Sequence, residues 1–312
     1  MKYISVAEVQ AVEREADASG LSYAQMMENA GRNLAAVIAE VYAYADGKKI
    51  LGLVGSGNNG GDTLVALTHL ARQGWQTSAY ILRPRSTDDP LIQRLLEAGG
   101  KLARSEDDPK RQELSRMLHD NAFWLDGVLG TGARLPLKPE LAQEMSQIRK
   151  MLQEMPEPPV VIAVDCPSGV DCDSGEAAPE CLPAALTVTM AAIKQGLLKF
   201  PAYDLCGDIR LVDIGLPDGG ERLASWQAIK CQVIDEDWMR AMLPLRPNNA
   251  HKGTFGTALV VAGSLNYTGA ALLAGQAAYR AGAGLVTLAV PSPLHSALSG
   301  QFPEATWLLL PH

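Results

Sequence analysis

Three short stretches carry residues whose types and spacing suit chemistry on a polar, phosphorylated ligand. The first is Val-Gly-Ser-Gly-Asn-Asn-Gly-Gly-Asp at residues 54–62, directly after the apolar run 50–54. A strand that runs into a Gly-rich turn and then a helix presents backbone N–H groups and the positive end of a helix dipole, which together attract phosphate. The second, Asp-Gly-Val-Leu-Gly-Thr-Gly-Ala-Arg at 126–134, follows a strand expected at 122–125. The third, Asp-Cys-Pro-Ser-Gly-Val-Asp at 165–171, follows Val160–Val164. Each strand delivers an Asp, or an Asn pair, at or just beyond its C-terminal end, the edge where open α/β sheets assemble their sites. A lone Gly-rich turn is usually only a tight connection. Three in register, each with an acid or amide, are poorly explained by coincidence.

Gly55, Gly57 and Gly60 satisfy the dinucleotide pattern G-x-G-x-x-G, which points first to a nicotinamide-dependent oxidoreductase. Two features weaken that reading. Asn58, Asn59 and Asp62 fill the turn with polar side chains, where a dinucleotide fingerprint keeps its backbone bare for pyrophosphate. The acidic residue expected about 20 residues on is missing, because the strand 77–82 leads into Arg83, Pro84 and Arg85. An Arg there suits a 2′-phosphate, so the oxidoreductase stands as the alternative, with a non-catalytic dinucleotide-binding module third.

The elements that must position these turns alternate along the chain. Helical periodicity covers Val6–Ala18 and 23–44, with Met26, Met27, Ala30, Leu34, Val37, Ile38 and Val41 largely on one face. Strands are expected at 50–54, 77–82, 122–125, Val160–Val164, Leu186–Met190 and Asp208–Val212, with helices at 63–73, 91–98 and 141–155. The uniformly apolar Val-Val-Ile-Ala-Val is typical of a parallel strand covered on both faces. The expectation is an α/β fold, a three-layer α/β/α domain with its crevice at the carboxyl ends of the strands. Near residues 228–231 the pattern restarts, with a helix at 235–243, a Pro-rich joint, then strand 257–262, helix 267–281, strand 285–290 and an apolar run 304–310. That is too little to close a core, so residues 232–312 are expected to open a second α/β domain.

The bulk numbers exclude several classes. The chain has 312 residues, 47% of them hydrophobic, and a formal net charge of −8, which disfavours nucleic acid as a partner. No apolar run approaches the roughly 20 residues of a membrane span, and the N-terminal stretch is charged from its start, so no signal peptide or membrane is expected. Five cysteines without a C-x-x-C pattern fit reduced thiols and a cytoplasmic location. The scattered histidines make a zinc site an unattractive reading.

Asn-Asn-Gly-Gly-Asp, the D-x-x-x-G-T-G turn and D-x-P-S-G-V-D together resemble the YjeF-type amino-terminal domain, the NAD(P)H-hydrate epimerase, over about residues 1–231. The segment 251–291, His-Lys-Gly-Thr-Phe-Gly onward, resembles the start of the ribokinase-like NAD(P)H-hydrate dehydratase, in the order found in bifunctional nicotinamide nucleotide repair enzymes. The resemblance implies a Rossmann-like epimerase domain that interconverts the R and S hydrates NADHX and NADPHX. It also implies a dehydratase, ADP-dependent (ATP in some members), that removes water from the S form. As a whole molecule these residues would lack dehydratase activity, since that fold's anion hole and catalytic Asp lie near its carboxyl end; within a longer chain both activities are expected.

Carried onto this chain, the resemblance places substrate contacts at Asn58, Asn59, Gly60, Gly61 and Asp62, and at Gly130, Thr131, Gly132, Ala133, Arg134, Leu135 and Pro136. It makes Asn59, Asp126 and Ser168 potassium ligands, a set of hard oxygen donors. Asp165 is implied as substrate-binding and acid/base carboxylate, with Lys194, in the expected turn 191–196, as its partner. Thr63, where the family usually has Gly, and Gly127, where it has a larger residue, depart from the pattern. Homo-oligomerisation is left open.

Plainer readings stand beside these. Asp62 can simply cap a helix at Thr63, and Asp171 and Asp173 read as turn formers. Cys166 is better read as a small buried filler than as a nucleophile. His251 and Lys252 either contact phosphate or decorate a loop, and the Ala/Gly-rich stretch 269–284 suits close helix–sheet packing.

Overall fold

The computed structural model describes residues 1–311, and the chain divides into two compact units, Met1–Asp235 and Glu236–His312. The first unit begins with β1 (Tyr3–Ile4), α1 (Val6–Ala18) and α2 (Tyr23–Val41). It continues through β2 (Lys49–Val54), α3 (Asn58–Arg72), β3 (Gln76–Ile81), α4 (Pro90–Glu97), β4 (Lys101–Arg104) and α5 (Gln112–Asp120). Next come β5 (Phe123–Gly127), α6 (Pro139–Glu154), β6 (Val160–Val164), β7 (Leu186–Met190) and β8 (Ile193–Lys194). It closes with α7 (Tyr203–Cys206), β9 (Asp208–Val212) and α8 (Ala224–Ala228).

Seven strands form one parallel sheet in the order β4-β3-β2-β5-β6-β7-β9. The chain enters at β2, winds out to β4, returns beside β2 as β5 and winds out the other way. A crevice opens at such a reversal, at the carboxyl ends of the strands. Period-2 alternation buries both faces. Ile50, Val54, Phe123 and Leu125 pack with residues of α1–α4, whereas Leu51, Leu53 and Trp124 pack with residues of α5 and α6. This is the three-layer α/β/α architecture that the strand–helix alternation predicts.

Three differences from the sequence reading matter for the site. First, α3 starts at Asn58, five residues before the expected 63, so Asn58–Asp62 form its first turn. Gly57 is its N-cap and supplies no side chain, and Asp62 is therefore no cap. The early start has a steric basis: Gly60 sits so close to Gly55 that any Cβ would collide with the Gly55 carbonyl. Arg85 holds this turn, its Nη1 donating to the carbonyls of Gly55 (3.1 Å) and Gly57 (3.0 Å) while Asp89 accepts from its Nε. Second, β4 and α5 form where no element was expected, β4 as a half-buried edge strand and α5 as a short helix burying only Leu114, Met117 and Leu118. Third, Lys194 lies in β8 rather than in a turn, and β8 pairs in parallel with β1, Ile4 opposite Lys194. A reciprocal capping box between Ser5 and Glu8 then starts α1.

The two family departures prove to be neighbours. A Cβ on Gly127 would collide with Thr63 Oγ1, which itself donates to the Asn59 carbonyl at 2.8 Å. The larger side chain at 63 thus fills space that Gly127 leaves. Gly127→Ala is expected to cost about 1–3 kcal/mol by overpacking. Urea denaturation should show Thr63→Gly recovering part of that cost, a coupling of roughly 1 kcal/mol. Strictly additive costs would refute the pairing.

The second unit holds α9 (Glu236–Met242), β10 (Thr257–Val261), α10 (Gly269–Arg280), β11 (Leu285–Pro291), α11 (His295–Leu298) and β12 (Thr306–Leu310). Its strands form a parallel sheet in the order β10-β11-β12. Gly275 of α10 has no room for a Cβ beside Leu288 and Phe302, which is the close helix–sheet packing expected of that stretch. Leu259, Val261 and Leu308 of this sheet are exposed.

Candidate functional site

A cavity of about 860 Å³ lies in the first unit, over the carboxyl ends of β2, β5 and β6. Of the residues singled out from sequence, Asn58, Asn59, Asp62, Gly130, Thr131, Gly132, Ala133, Arg134, Pro136, Asp165 and Lys194 line it. Gly60, Gly61 and Leu135 do not: Gly60 packs on the Gly55 backbone and Gly61 on the Met27 side chain. Asp126 and Ser168 lie behind the wall, both fully buried.

At the end of β6, Asp165 adopts φ 65°, the left-handed region that a non-Gly residue occupies only under constraint. Its Oδ1 accepts from Lys194 Nζ, from Met190 N at 3.0 Å and from Thr189 Oγ1 at 3.2 Å. Oδ2 has no hydrogen-bond partner among the described residues. Lys194 Nζ completes its three bonds with the Met190 carbonyl at 2.7 Å and Thr189 Oγ1 at 3.2 Å. With its side chain 2% exposed, the ammonium is a fully occupied buried cation that clamps one carboxylate oxygen and leaves the other to the cavity.

Two further carboxyls face the same space. Asp62, 8% exposed, has no hydrogen-bond partner among the described residues. Burial raises its pKa well above the ordinary range, helped by the charges of Asp165 and Glu13 and opposed by Lys194. Glu13 of α1 also lines the cavity, and its pKa is raised, chiefly by burial, with Lys194 opposing. Sequence reasoning missed Glu13, together with the floor supplied by Val9, Met26 and Met27. Only the amphipathic pattern of α1 hinted at a helix there, and nothing in it marks which polar residue turns inward.

Asn59, Asp126 and Ser168 come together around the Leu129 carbonyl. Asn59 Nδ2 donates to that oxygen at 2.8 Å, and Ser168 Oγ lies 3.3 Å from it. The Asp126 carboxylate accepts from Ser168 N at 2.8 Å and from Ser168 Oγ at 2.5 Å. It forms no ion pair among the described residues, and burial raises its pKa. A buried carboxylate without an ion-pair partner among the described residues, beside the Ser168 hydroxyl and the Leu129 carbonyl, fits a hard cation. No group of three or more His, Cys, Asp or Glu side chains that could hold a metal ion converges among the described residues.

The remaining candidates have structural roles. Cys166 is fully buried, and its thiol pKa is pushed well up by a hydrogen bond with Cys172 and by burial, so it is no thiolate nucleophile. Asp171 Oδ1 accepts from Ser174 N (2.8 Å) and Asp173 N (3.0 Å), the turn role expected of it. Asp173 Oδ1 accepts from Val6 N at 2.7 Å. His251 and Lys252 are exposed ahead of β10.

The model of the family described as YjeF-related protein N-terminus matches residues 23–196, more than half of the chain and most of the cavity wall. The chain belongs to this family. Its YjeF-related part is followed by a match to the family described as NAD(P)H-hydrate dehydratase, over residues 258–310. Relatives with the printed name bifunctional NAD(P)H-hydrate repair enzyme include one from Moorella thermoacetica, 34% identical over 92% of this chain and 53% of its own length. Another, from Archaeoglobus fulgidus, is 35% identical over 97% of this chain and 58% of its own. The chain thus spans little more than half the length of the curated relatives it matches. The YjeF-related fold itself is shared with the crystal structure of yeast ynu0, YNL200c, at 20% identity and TM-score 0.56, covering 63% of this chain and 83% of that one. No helix among the described residues is long and apolar enough to cross a membrane.

Proposed function

We propose that the first unit epimerises the R and S hydrates of reduced nicotinamide dinucleotides, NADHX and NADPHX, and that residues 232–312 begin an ADP- or ATP-dependent dehydratase acting on the S form. The observation that carries this reading is the cavity in which Asp165 is clamped through one oxygen by Lys194 while its second oxygen has no partner among the described residues. In the hydrate, the hydroxyl sits on the ring carbon next to the ring nitrogen. The nitrogen lone pair can expel that hydroxyl once it is protonated, leaving a planar carbon that water re-enters from either face. The site must therefore give a proton to the departing oxygen and take one from the incoming water. Asp165 Oδ2 and the carboxyl of Asp62, whose pKa burial raises, are suited to share those tasks, with Lys194 as the fixed countercharge. No hydride is passed, which accounts for a Gly-rich fingerprint that only half matches.

Asn58 and Asn59 in the first turn of α3, with Gly130–Arg134 and Pro136 of the loop after β5, would hold phosphates and ribose, Arg134 through its fork of donors. Asn59, Asp126 and Ser168 would hold potassium, whose charge there would neutralise the buried Asp126 and fix the two loops. A small, soluble substrate of this kind suits a cytoplasmic enzyme. The test starts from pure R-NADPHX and follows the S hydrate by chromatography, with potassium and then with a non-coordinating cation. Protein-dependent conversion that falls without potassium is expected. Conversion at the spontaneous rate only would refute the epimerase reading, and a change in reduced-cofactor absorbance with an oxidisable substrate would favour the oxidoreductase.

A further inference from the structure

A second cavity, of about 670 Å³, adjoins the first at the carboxyl end of β3, and Arg83, Lys138 and Leu141 line both. We propose that Arg83 and Lys138 form a subsite for a phosphate monoester on the substrate's adenosine ribose, so that the site favours the 2′-phosphorylated hydrate, NADPHX, over NADHX. The inference rests on the epimerase reading for its substrate but on separate residues for its content.

The topology places the subsite. The order β4-β3-β2-β5-β6-β7 is that of a doubly wound dinucleotide fold, in which pyrophosphate lies at the N-terminus of the first crossover helix, here α3. With the reacting ring near Asp165, at the end of β6, the pyrophosphate reaches Gly57 and Asn58. The adenosine half then continues towards the end of β3, on the other side of β2. There the fold uses an acid to read a free ribose 2′-hydroxyl, or an Arg to receive a 2′-phosphate. This chain puts Leu82 and then Arg83 at that point.

The side chains have capacity to spare. Arg83 is 24% exposed, and among the described residues its guanidinium makes one hydrogen bond, a long one, Nη1 to the Leu82 carbonyl at 3.4 Å. Glu144 Oε2 lies 3.1 Å from Arg83 Nη1 but makes no hydrogen bond, so charge and not direction holds the pair. Glu144 keeps Arg111 as a second cation through Oε1, so Arg83 can turn to a phosphate without leaving that carboxylate alone. The Lys138 ammonium has no hydrogen bond or ion pair among the described residues, and Lys138 stands at the N-cap of α6, whose start carries no side-chain cap. A guanidinium fork with free donors, an ammonium and a helix N-terminus are three elements suited to a dianion.

Arg83→Gln and Lys138→Gln in the full chain test the proposal, with Glu144 still paired to Arg111. The readouts are kcat/KM for R-NADPHX against R-NADHX, and the affinities for adenosine 2′,5′-bisphosphate against 5′-AMP by calorimetry. The wild type should prefer both 2′-phosphorylated ligands, and Arg83→Gln should cut each preference about tenfold or more, with little effect on NADHX or 5′-AMP. Equal losses for both members of a pair, or an unchanged ratio, would overturn it. A wild type without epimerase activity would refute the reaction but not the subsite, because the calorimetric ratio decides that separately.

Discussion

Lys194→Met should be among the most damaging single substitutions in the first unit. Lys194 Nζ is buried and bonds Asp165 Oδ1, Thr189 Oγ1 and the Met190 carbonyl. Methionine fills a similar volume but leaves the Asp165 carboxylate buried with only Met190 N and Thr189 Oγ1 as donors. Breaking a buried pair from one side typically costs about 3–5 kcal/mol, because the surviving charge is uncompensated. Asp165→Asn added to Lys194→Met removes that charge, and the double variant should regain much of the loss. Urea unfolding of both singles and the double gives the coupling. A Lys194→Met cost under about 1 kcal/mol would show that the pair does not hold the site. Epimerase activity should be lost in all three variants, including those whose stability returns.

The parts of this site that were legible in the sequence are those encoded within a few residues of a strand end. Asn59, Asp126, Asp165 and Ser168 each stand beside a Gly-rich turn after β2, β5 or β6, and parallel pairing brings those ends to one edge. The alternation of uniformly apolar runs with helical stretches likewise predicts the layered sheet. What was illegible depends on contacts far apart in the chain. The pairing of β1 with β8 involves two residues on each side, too few for any periodic signal, yet it places Lys194 in a strand. Glu13 reaches the cavity because α1 docks through Val9, Val12 and Ala16, and an amphipathic pattern does not say which flanking polar residue points inward. The start of α3 at Asn58 is illegible because glycine disfavours helix by propensity, whereas Gly60 and Gly61 here let the helix begin against the Gly55 backbone and Met27.

Asp62→Asn should make the protein more stable and the enzyme worse. Asp62 is buried in the first turn of α3 without a hydrogen-bond partner among the described residues, and Asp165 and Glu13 add negative charge around it. Lys194 acts on it in the opposite sense, but its three bonds are spent elsewhere. The folded-state pKa of Asp62 is therefore raised, so folding takes up a proton wherever the unfolded carboxyl would be ionised. Stability contributed by the site is unaffected below the ordinary carboxylate range and declines as pH rises from there towards the raised folded value. Asparagine, neutral throughout, escapes that decline. Thermal melts should show little difference between variant and wild type near pH 4, and a stabilisation by Asp62→Asn that grows towards pH 8. A difference independent of pH would refute the titration argument. The amide cannot pass a proton to a departing hydroxyl, so epimerisation should fall by roughly 10²–10⁴-fold if Asp62 is the donor. Asp62→Glu, which keeps the proton but displaces it, should recover part of the rate and restore the pH-dependent cost. Binding of adenosine 2′,5′-bisphosphate, which the ring-proximal carboxyl does not touch in this reading, should be the same in both variants. A gain in stability that tracks pH together with a loss in turnover would mark Asp62 as a residue kept protonated for chemistry at the expense of the fold.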